Sequence, residues 1–222
     1  MYRNQTVVRP AESALATNKV LRNTYTLLSM TMLFSAAMAA ISVFVESGPG
    51  TYLISVMGAM GLIWLVLPRT ANSGAGVGVV FAITGLMGFG LGGVLNQYLA
   101  LSNGSQLIMT AMGGTGVIFL GLSAYALTTR RDFSFLGGML FVGMLVILVA
   151  ALANIFLDIP AMTLAISSVI IILMSGFILY DTSRIIHGGE TNYILATVSL
   201  YLSIYNIFIS LLQILGALSG DD

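Results

Sequence analysis

Residues 178–190 read ILYDTSRIIHGGE, and this polar stretch separates two long apolar segments near the carboxyl end of the chain. The first segment covers residues 160–180 and the second covers residues 193–218, so each is long enough to cross a bilayer as a helix. Asp181 comes while the apolar pattern of the first segment is still running. Because an ionisable side chain at membrane depth is costly, Asp181 is the first candidate for a functional residue.

The composition of the whole chain also indicates a membrane location. Of its 222 residues, 58% are hydrophobic and 7% are charged, whereas soluble domains typically carry about 25% charged residues. The mean hydropathy is +1.00. The chain has no cysteine and one histidine, which excludes disulfides and cysteine-ligated metals and argues against a structural zinc site. We therefore predict an all-α integral membrane protein.

Charged residues divide most of the chain into apolar blocks that each hold one span of about 20 residues. Residues 70–129 form a longer block, which we divide at the turn sequence SNGS of residues 102–105. The sequence therefore predicts a bundle of seven transmembrane helices, near residues 24–45, 52–68, 75–98, 106–128, 134–156, 160–183 and 192–218.

The amino-terminal segment differs in character from the rest. Residues 1–22 are polar and mixed in charge, so we predict a cytoplasmic polar tail ahead of a membrane domain that covers residues 23–220. A short interfacial helix from about Ala11 is an alternative for the second half of this tail. The apolar run of residues 23–45 exceeds the roughly 7–15 residues of a signal-peptide core, so we interpret it as an uncleaved first span.

The basic residues lie on one side of the predicted bundle. The tail and the loops after helices 2, 4 and 6 contain every lysine and arginine of the chain: Arg3, Arg9, Lys19, Arg22, Arg69, Arg130, Arg131 and Arg184. The opposite side contains only acids: Glu46, Asp158, Asp221 and Asp222. The positive-inside rule therefore predicts a cytoplasmic amino terminus and a carboxyl terminus on the periplasmic side.

Residues 88–93 read GFGLGG and formally match a dinucleotide-binding fingerprint. That fingerprint needs a preceding strand and a helix amino terminus, whereas these glycines lie inside a predicted membrane helix. We interpret Gly88 and Gly92 as positions where two helices pack closely. The same interpretation is applied to Gly113, Gly114 and Gly116 in helix 4 and to Gly137 and Gly138 in helix 5.

Catalytic motifs are not apparent. Asp181, His187 and Ser203 would form a Ser-His-Asp triad only if the fold brought them together, and nothing in their spacing indicates that it does. Residues 187–190 also lack the helical two-histidine pattern of a metalloprotease. We expect a protein that is not an enzyme, with no cofactor, no metal site and no nucleic-acid partner.

Two interpretations of Asp181 stay open from the residues alone. Arg184 follows it by three positions, so an Asp–Arg pair would close helix 6 at the membrane interface. Alternatively, Asp181 points into the bundle, where Arg69 at the same end of helix 2 supplies a cation. The predicted polar cluster, or ion path, consists of Asp181, Ser203, Arg69, Arg184, Tyr201 and Asn206.

Four stretches resemble a known family. LYDTSRI at 179–185 and SLYLSIYNIF at 199–208 resemble the paired signature of helices 6 and 7 in the Bax inhibitor-1 family. HGGETNY at 187–193 and TNKVLRNTY at 17–25 resemble its bacterial YccA-type branch. The resemblance extends over essentially the whole chain, and it implies seven helices with one of them at the centre.

The resemblance also implies two functional hypotheses. Some family members behave as pH-sensitive calcium leaks, with one aspartate in helix 6, a second in helix 7 and an arginine from helix 2. Asp181 matches the first aspartate and Arg69 the arginine, but Ser203 stands in place of the second aspartate. Because one carboxylate cannot share a proton with a hydroxyl as two carboxylates can, the pH-gated leak is the alternative here.

The YccA-type branch implies a different partner. Its members are associated with the FtsH-type membrane protease of the bacterial inner membrane, and they restrain its action on other membrane proteins. The first hypothesis is therefore a binding protein that modulates membrane proteolysis in stress and quality control. The second hypothesis is a cation leak channel that conducts Ca²⁺.

Overall fold

The computed structural model describes residues 11–48 and 50–220, with side chains from residue 17 onward. Within these residues it contains seven helices that are long and apolar enough to cross a membrane. They are α1 (Ala11–Phe44), α2 (Gly50–Thr70), α3 (Ala75–Leu99), α4 (Gly104–Thr129), α5 (Leu136–Leu157), α6 (Pro160–Ile186) and α7 (Tyr193–Ser219). The predicted all-α, seven-helix class is confirmed.

The first helix begins earlier than the sequence suggested. α1 starts at Ala11 and continues without a break into the first span, so the predicted boundary between residues 22 and 23 lies inside a helix. Residues 1–10 of the predicted tail lie outside the described residues. The division into a tail and a membrane domain stays a prediction.

The second span contains a local change of helix type. Leu62–Val66 forms a π-helical turn, in which the Leu67 N–H bonds to the Leu62 carbonyl, five residues back. Pro68 follows directly, and because proline has no N–H it cannot supply the next i→i−4 bond. The wider turn accommodates this missing donor, so the helix continues to Thr70 instead of ending at the predicted residue 68.

The last helix is the centre of the bundle. α7 packs against α1, α3, α4 and α6. In its most apolar stretch 61% of the residues are buried, compared with 11% in α5, which packs only against α6 among the described helices. A helix that is covered on most sides fixes the position of its neighbours, and this arrangement agrees with the central helix that the resemblance implied.

Two glycines of α3 bring α1 close, as the sequence predicted. A Cβ added at Gly88 would overlap the carbonyl oxygen of Ser35, and one added at Gly92 would overlap the side chain of Ser42. Because neither glycine has a side chain, the two helices approach at backbone distance. The stretch that resembles a dinucleotide fingerprint is therefore a packing surface inside a helix.

The five glycines predicted to allow close packing of helices 4 and 5 differ in what surrounds them. A Cβ at Gly114 would lie 3.2 Å from Leu211, and one at Gly137 would lie 3.0 Å from the Tyr180 ring. Added Cβ atoms at three further positions would meet nothing within 4 Å: Gly113, Gly116 and Gly138. The close-packing prediction is wrong for these three, because they face the outside of the bundle or an open groove.

The orientation of the bundle in the membrane stays a prediction that topology reporters can test. Short loops join the helices, so the arginine-bearing loops after α2, α4 and α6 lie at one end. We expect reporter fusions after residue 222 to read periplasmic and fusions before residue 11 to read cytoplasmic. A cytoplasmic reading at residue 222 would contradict the predicted orientation. A reporter inserted at residues 131–133 is the internal control and is expected to read cytoplasmic.

Candidate functional site

Asp181 lies in the last part of α6 and faces the bundle. It is 8% exposed and is the only buried carboxylate among residues 17–48 and 50–220. The Ser199 hydroxyl of α7 donates a hydrogen bond to its Oδ2 atom at 2.5 Å. One short polar bond therefore joins α6 to the central helix.

The neighbouring residues connect α1 to the same level of the bundle. The Tyr25 hydroxyl lies 3.3 Å from the Thr182 hydroxyl, next to Asp181. The Thr197 hydroxyl of α7 lies 3.3 Å from the Thr24 carbonyl oxygen, although its shorter bond is to the carbonyl four residues back in its own helix. Three helices therefore meet in a polar layer around the carboxylate.

The predicted residues of α7 lie near this layer, but in the described part of the chain none of them forms a hydrogen bond with Asp181. Ser203 is buried, and its hydroxyl donates to the Ser199 carbonyl oxygen at 3.2 Å. The Tyr201 hydroxyl lies 2.7 Å from the Ser35 hydroxyl, and this bond ties α7 to α1. Asn206 donates to a carbonyl of its own helix. These side chains stabilise α7 and its packing, and only Ser199 reaches the carboxylate.

The two predicted cations bind elsewhere. Arg69 donates to the Leu65 carbonyl oxygen in its own helix. Arg184 pairs with Glu190 at 3.7 Å, and its guanidinium lies 5.5 Å from the centre of the Tyr180 ring. In the described part of the chain no lysine or arginine forms an ion pair with Asp181. Neither of the two Asp–Arg arrangements considered from the sequence is present.

His187 does not belong to a catalytic triad. Its Nδ1 atom lies 2.9 Å from the Ser183 carbonyl oxygen, and its Nε2 atom lies 3.1 Å from the Arg130 carbonyl oxygen. Asp181 bonds to Ser199, and the Ser203 hydroxyl bonds within its own helix. The ring therefore holds a loop in place, and the triad considered from the sequence is not assembled.

That loop is the α4–α5 connection, which is fixed to the end of α6. The Phe133 N–H donates to the Ser183 hydroxyl at 2.9 Å. The Ser134 N–H donates to Asp132 Oδ1 at 2.9 Å, and this bond is the main reason why the pKa of the exposed Asp132 lies below its usual value. The nearby His187 lowers it further to a smaller extent. The end of the bundle that carries the arginine-bearing loops thus has a defined shape.

Side-chain hydrogen bonds join α6 and α7 at the two ends of their interface, and both apolar and polar side chains lie between these bonds. The Ser167 hydroxyl donates to the Gln213 side-chain oxygen at 2.7 Å, at the end opposite Asp181. Along both helices the residues between these bonds include buried apolar side chains: Leu173, Met174, Ile178, Leu200, Ile204 and Ile207. Between the two bonds α7 also has polar residues at spacings of three or four, so one helix face carries Ser199, Ser203, Asn206, Ser210 and Gln213, of which Ser203 and Ser210 are buried.

The sequence did not reveal Ser199, Thr182 and Tyr25 as members of this layer. Ser199 precedes Ser203 by four residues, so both lie on the same face of a helix. Either serine was able to oppose Asp181, and only the register between α6 and α7 decides between them. The sequence shows that hydroxyl residues repeat along one face of α7, but this repeat does not determine the register between α6 and α7.

The fold and this polar layer define an all-helical membrane protein with seven spans around a central helix. The chain belongs to the Bax inhibitor-1 family, because its residues 17–220 match the family model described as "Inhibitor of apoptosis-promoting Bax1". The match covers all seven spans and the whole polar layer.

Individual relatives place the chain more narrowly. It is 54% identical over 210 residues to "Modulator of FtsH protease YccA" of Escherichia coli strain K12, covering 94% of each chain. It is 54% identical over 210 residues to "Inner membrane protein YccA" of E. coli O6:H1, again covering 94% of each. It is 50% identical over 211 residues to an "Uncharacterized membrane protein" of Vibrio cholerae, covering 95% of each. The names of these relatives describe a modulator and membrane proteins.

Proposed function

We propose that this chain is a non-enzymatic protein of the bacterial inner membrane that binds an FtsH-type membrane protease and modulates its action. The observation that supports this most directly is the 54% identity, over 94% of both chains, to a protein named as a modulator of that protease. At this level of similarity the seven spans and their loops correspond along the whole molecule.

The proposed binding can be tested by co-purification and by substrate lifetimes in cells. We expect the chain to co-purify with an affinity-tagged FtsH-type protease from detergent-solubilised inner membranes. Raising its expression should lengthen the half-life of a membrane substrate of the protease by a factor of about two or more, because a bound modulator reduces the free protease. The matched control is an unrelated seven-span protein expressed to the same level, which should change neither measurement.

Three results would count against the proposal. Failure to co-purify under conditions that retain the protease's own oligomer would contradict the binding. An unchanged substrate half-life at high expression would contradict the modulation. If calcium efflux from proteoliposomes were instead fast and steeply pH-dependent near neutral pH, the calcium leak would replace the proposal.

The calcium-leak hypothesis has less support from the residues of this chain. It rests on a pair of aspartates, and Ser203 occupies the second position. Asp181 bonds to the Ser199 hydroxyl, and no second carboxylate is buried among the described residues. A single carboxylate without a second one beside it does not form a shared-proton pair. We therefore expect little pH dependence of any calcium flux.

A further inference from the structure

An open groove lies between α1 and α4, on the outside of the central helix. Both helices pack against α7, but their backbones do not come within 8 Å of each other. The space between them has a volume of about 470 Å³ and is open on one side. We call it the α1–α4 groove; its walls include Ala36 and Ala40 of α1, Met112 and Gly116 of α4, and Tyr201 and Tyr205 of α7.

The groove opens at the depth of the hydrocarbon core. Ala36 lies well inside the first span and Met112 well inside the fourth, away from the ends of both helices. At one end the Tyr25 and Phe119 rings meet with their centres 6.0 Å apart and close the gap between α1 and α4. Met112 is 56% exposed at the rim, where the groove continues into the lipid-facing surface. The groove is therefore a recess in the surface that the bilayer covers.

The walls of the groove offer no free hydrogen-bond donor among the described hydroxyls. Tyr205 donates to the Met87 carbonyl oxygen, and Ser29 and Thr115 donate to carbonyl oxygens of their own helices. Tyr201 and Ser35 bond to each other. A buried water needs two to four polar partners, so water is poorly held here. The chemistry of the walls favours an apolar occupant.

The volume of the groove decides between the apolar occupants that a membrane contains. An apolar cavity of about 150 Å³ already binds a molecule such as benzene, and this groove is about three times as large. A transmembrane helix about 10 Å across and 30 Å long fills roughly 2,400 Å³, far more than the groove provides. A hydrocarbon chain is narrow enough to enter.

We propose that the α1–α4 groove binds one acyl chain of a membrane phospholipid. The bilayer supplies such chains at the depth of the opening, and an empty recess would leave its walls without contact partners. Small residues keep the space free: Ala36 and Ala40 line α1, and a Cβ at Gly116 would meet nothing within 4 Å. The closed end of the groove lies at Tyr25, whose hydroxyl contacts Thr182 beside the carboxylate layer.

The proposal is tested by native mass spectrometry of the purified protein after reconstitution into vesicles of phosphatidylethanolamine and phosphatidylglycerol. After re-extraction and detergent washing, the unmodified chain is expected to retain one phospholipid per molecule. Gly116→Phe places a ring in the groove and is expected to reduce the lipid-bound fraction about tenfold. Ala36→Phe fills the same space from the opposite wall and is expected to have the same effect.

Gly121→Phe is the matched control on the same helix. A Cβ at Gly121 also meets nothing within 4 Å, but this residue does not line the groove, so its lipid retention is expected to equal that of the unmodified chain. Circular dichroism and gel filtration of each variant confirm folding. Three results would overturn the proposal: no phospholipid on the unmodified chain, equal retention in all variants, or a dimer in place of the lipid adduct. The first is independent of how any variant folds.

Discussion

Replacing Gly88 by leucine is expected to prevent α1 from packing on α3 and to destabilise the bundle by more than about 3 kcal/mol. The obstacle to a side chain at this position is the Ser35 carbonyl oxygen, which belongs to the backbone and cannot rotate away. The two helices would have to separate along their contact. That movement would also break the 2.7 Å bond between the Ser35 and Tyr201 hydroxyls, which ties α1 to the central helix.

The control for this substitution lies on the same helix. A Cβ at Gly78 meets nothing within 4 Å, so Gly78→Leu adds the same side chain without a clash. Because leucine also favours the helix over glycine by up to about 1 kcal/mol, this variant should be as stable as the unmodified chain or slightly more so. Thermal unfolding in detergent and the monodisperse fraction in gel filtration measure the difference. Equal stability of both variants would show that α1 and α3 do not depend on close glycine packing.

Hydropathy and charge predicted the spans because the membrane imposes a strong condition on them. A span is predominantly apolar over about 20 residues, so Arg69, Asp132 and Asp158 mark positions at or next to the ends of spans. Two of the helix bounds that differ from the predicted ones are the end of α2 and the start of α1. Pro68 was taken as a helix end, and the structure absorbs it in a π turn. Ala11 begins a helix inside a segment whose composition resembled a disordered tail.

The contacts of the candidate site were harder to predict, because they depend on how two helices are aligned with each other. The sequence indicated that Asp181 is unusual, and its burial agrees with that. It did not indicate that Ser199 is the partner, because Ser203 lies on the same face one turn further on. Similarly, Gly88 and Gly116 both lie in glycine-rich parts of apolar helices. Gly88 packs against α1, whereas Gly116 lines the α1–α4 groove.

Replacing Ser199 by alanine is expected to destabilise the bundle by about 1–2 kcal/mol, because it leaves the buried Asp181 carboxyl group without its hydrogen-bond donor. Ser199 is the side chain that donates to Asp181, and no cation among the described residues pairs with this carboxylate. Ser203→Ala is the matched control one helical turn away. The Ser203 hydroxyl bonds only to a carbonyl of its own helix, so its loss is expected to cost less than about 1 kcal/mol.

A second variant separates the loss of the bond from the burial of the carboxylate. Asp181→Leu combined with Ser199→Ala replaces both polar partners by apolar groups, and such a replacement is often nearly neutral. We expect chemical denaturation in detergent to show the double variant within about 1 kcal/mol of the unmodified chain, and so more stable than Ser199→Ala alone. If Ser203→Ala were the more damaging of the two serine changes, the register between α6 and α7 would be different. The carboxylate would then face Ser203, at the position where the family resemblance implied a second aspartate.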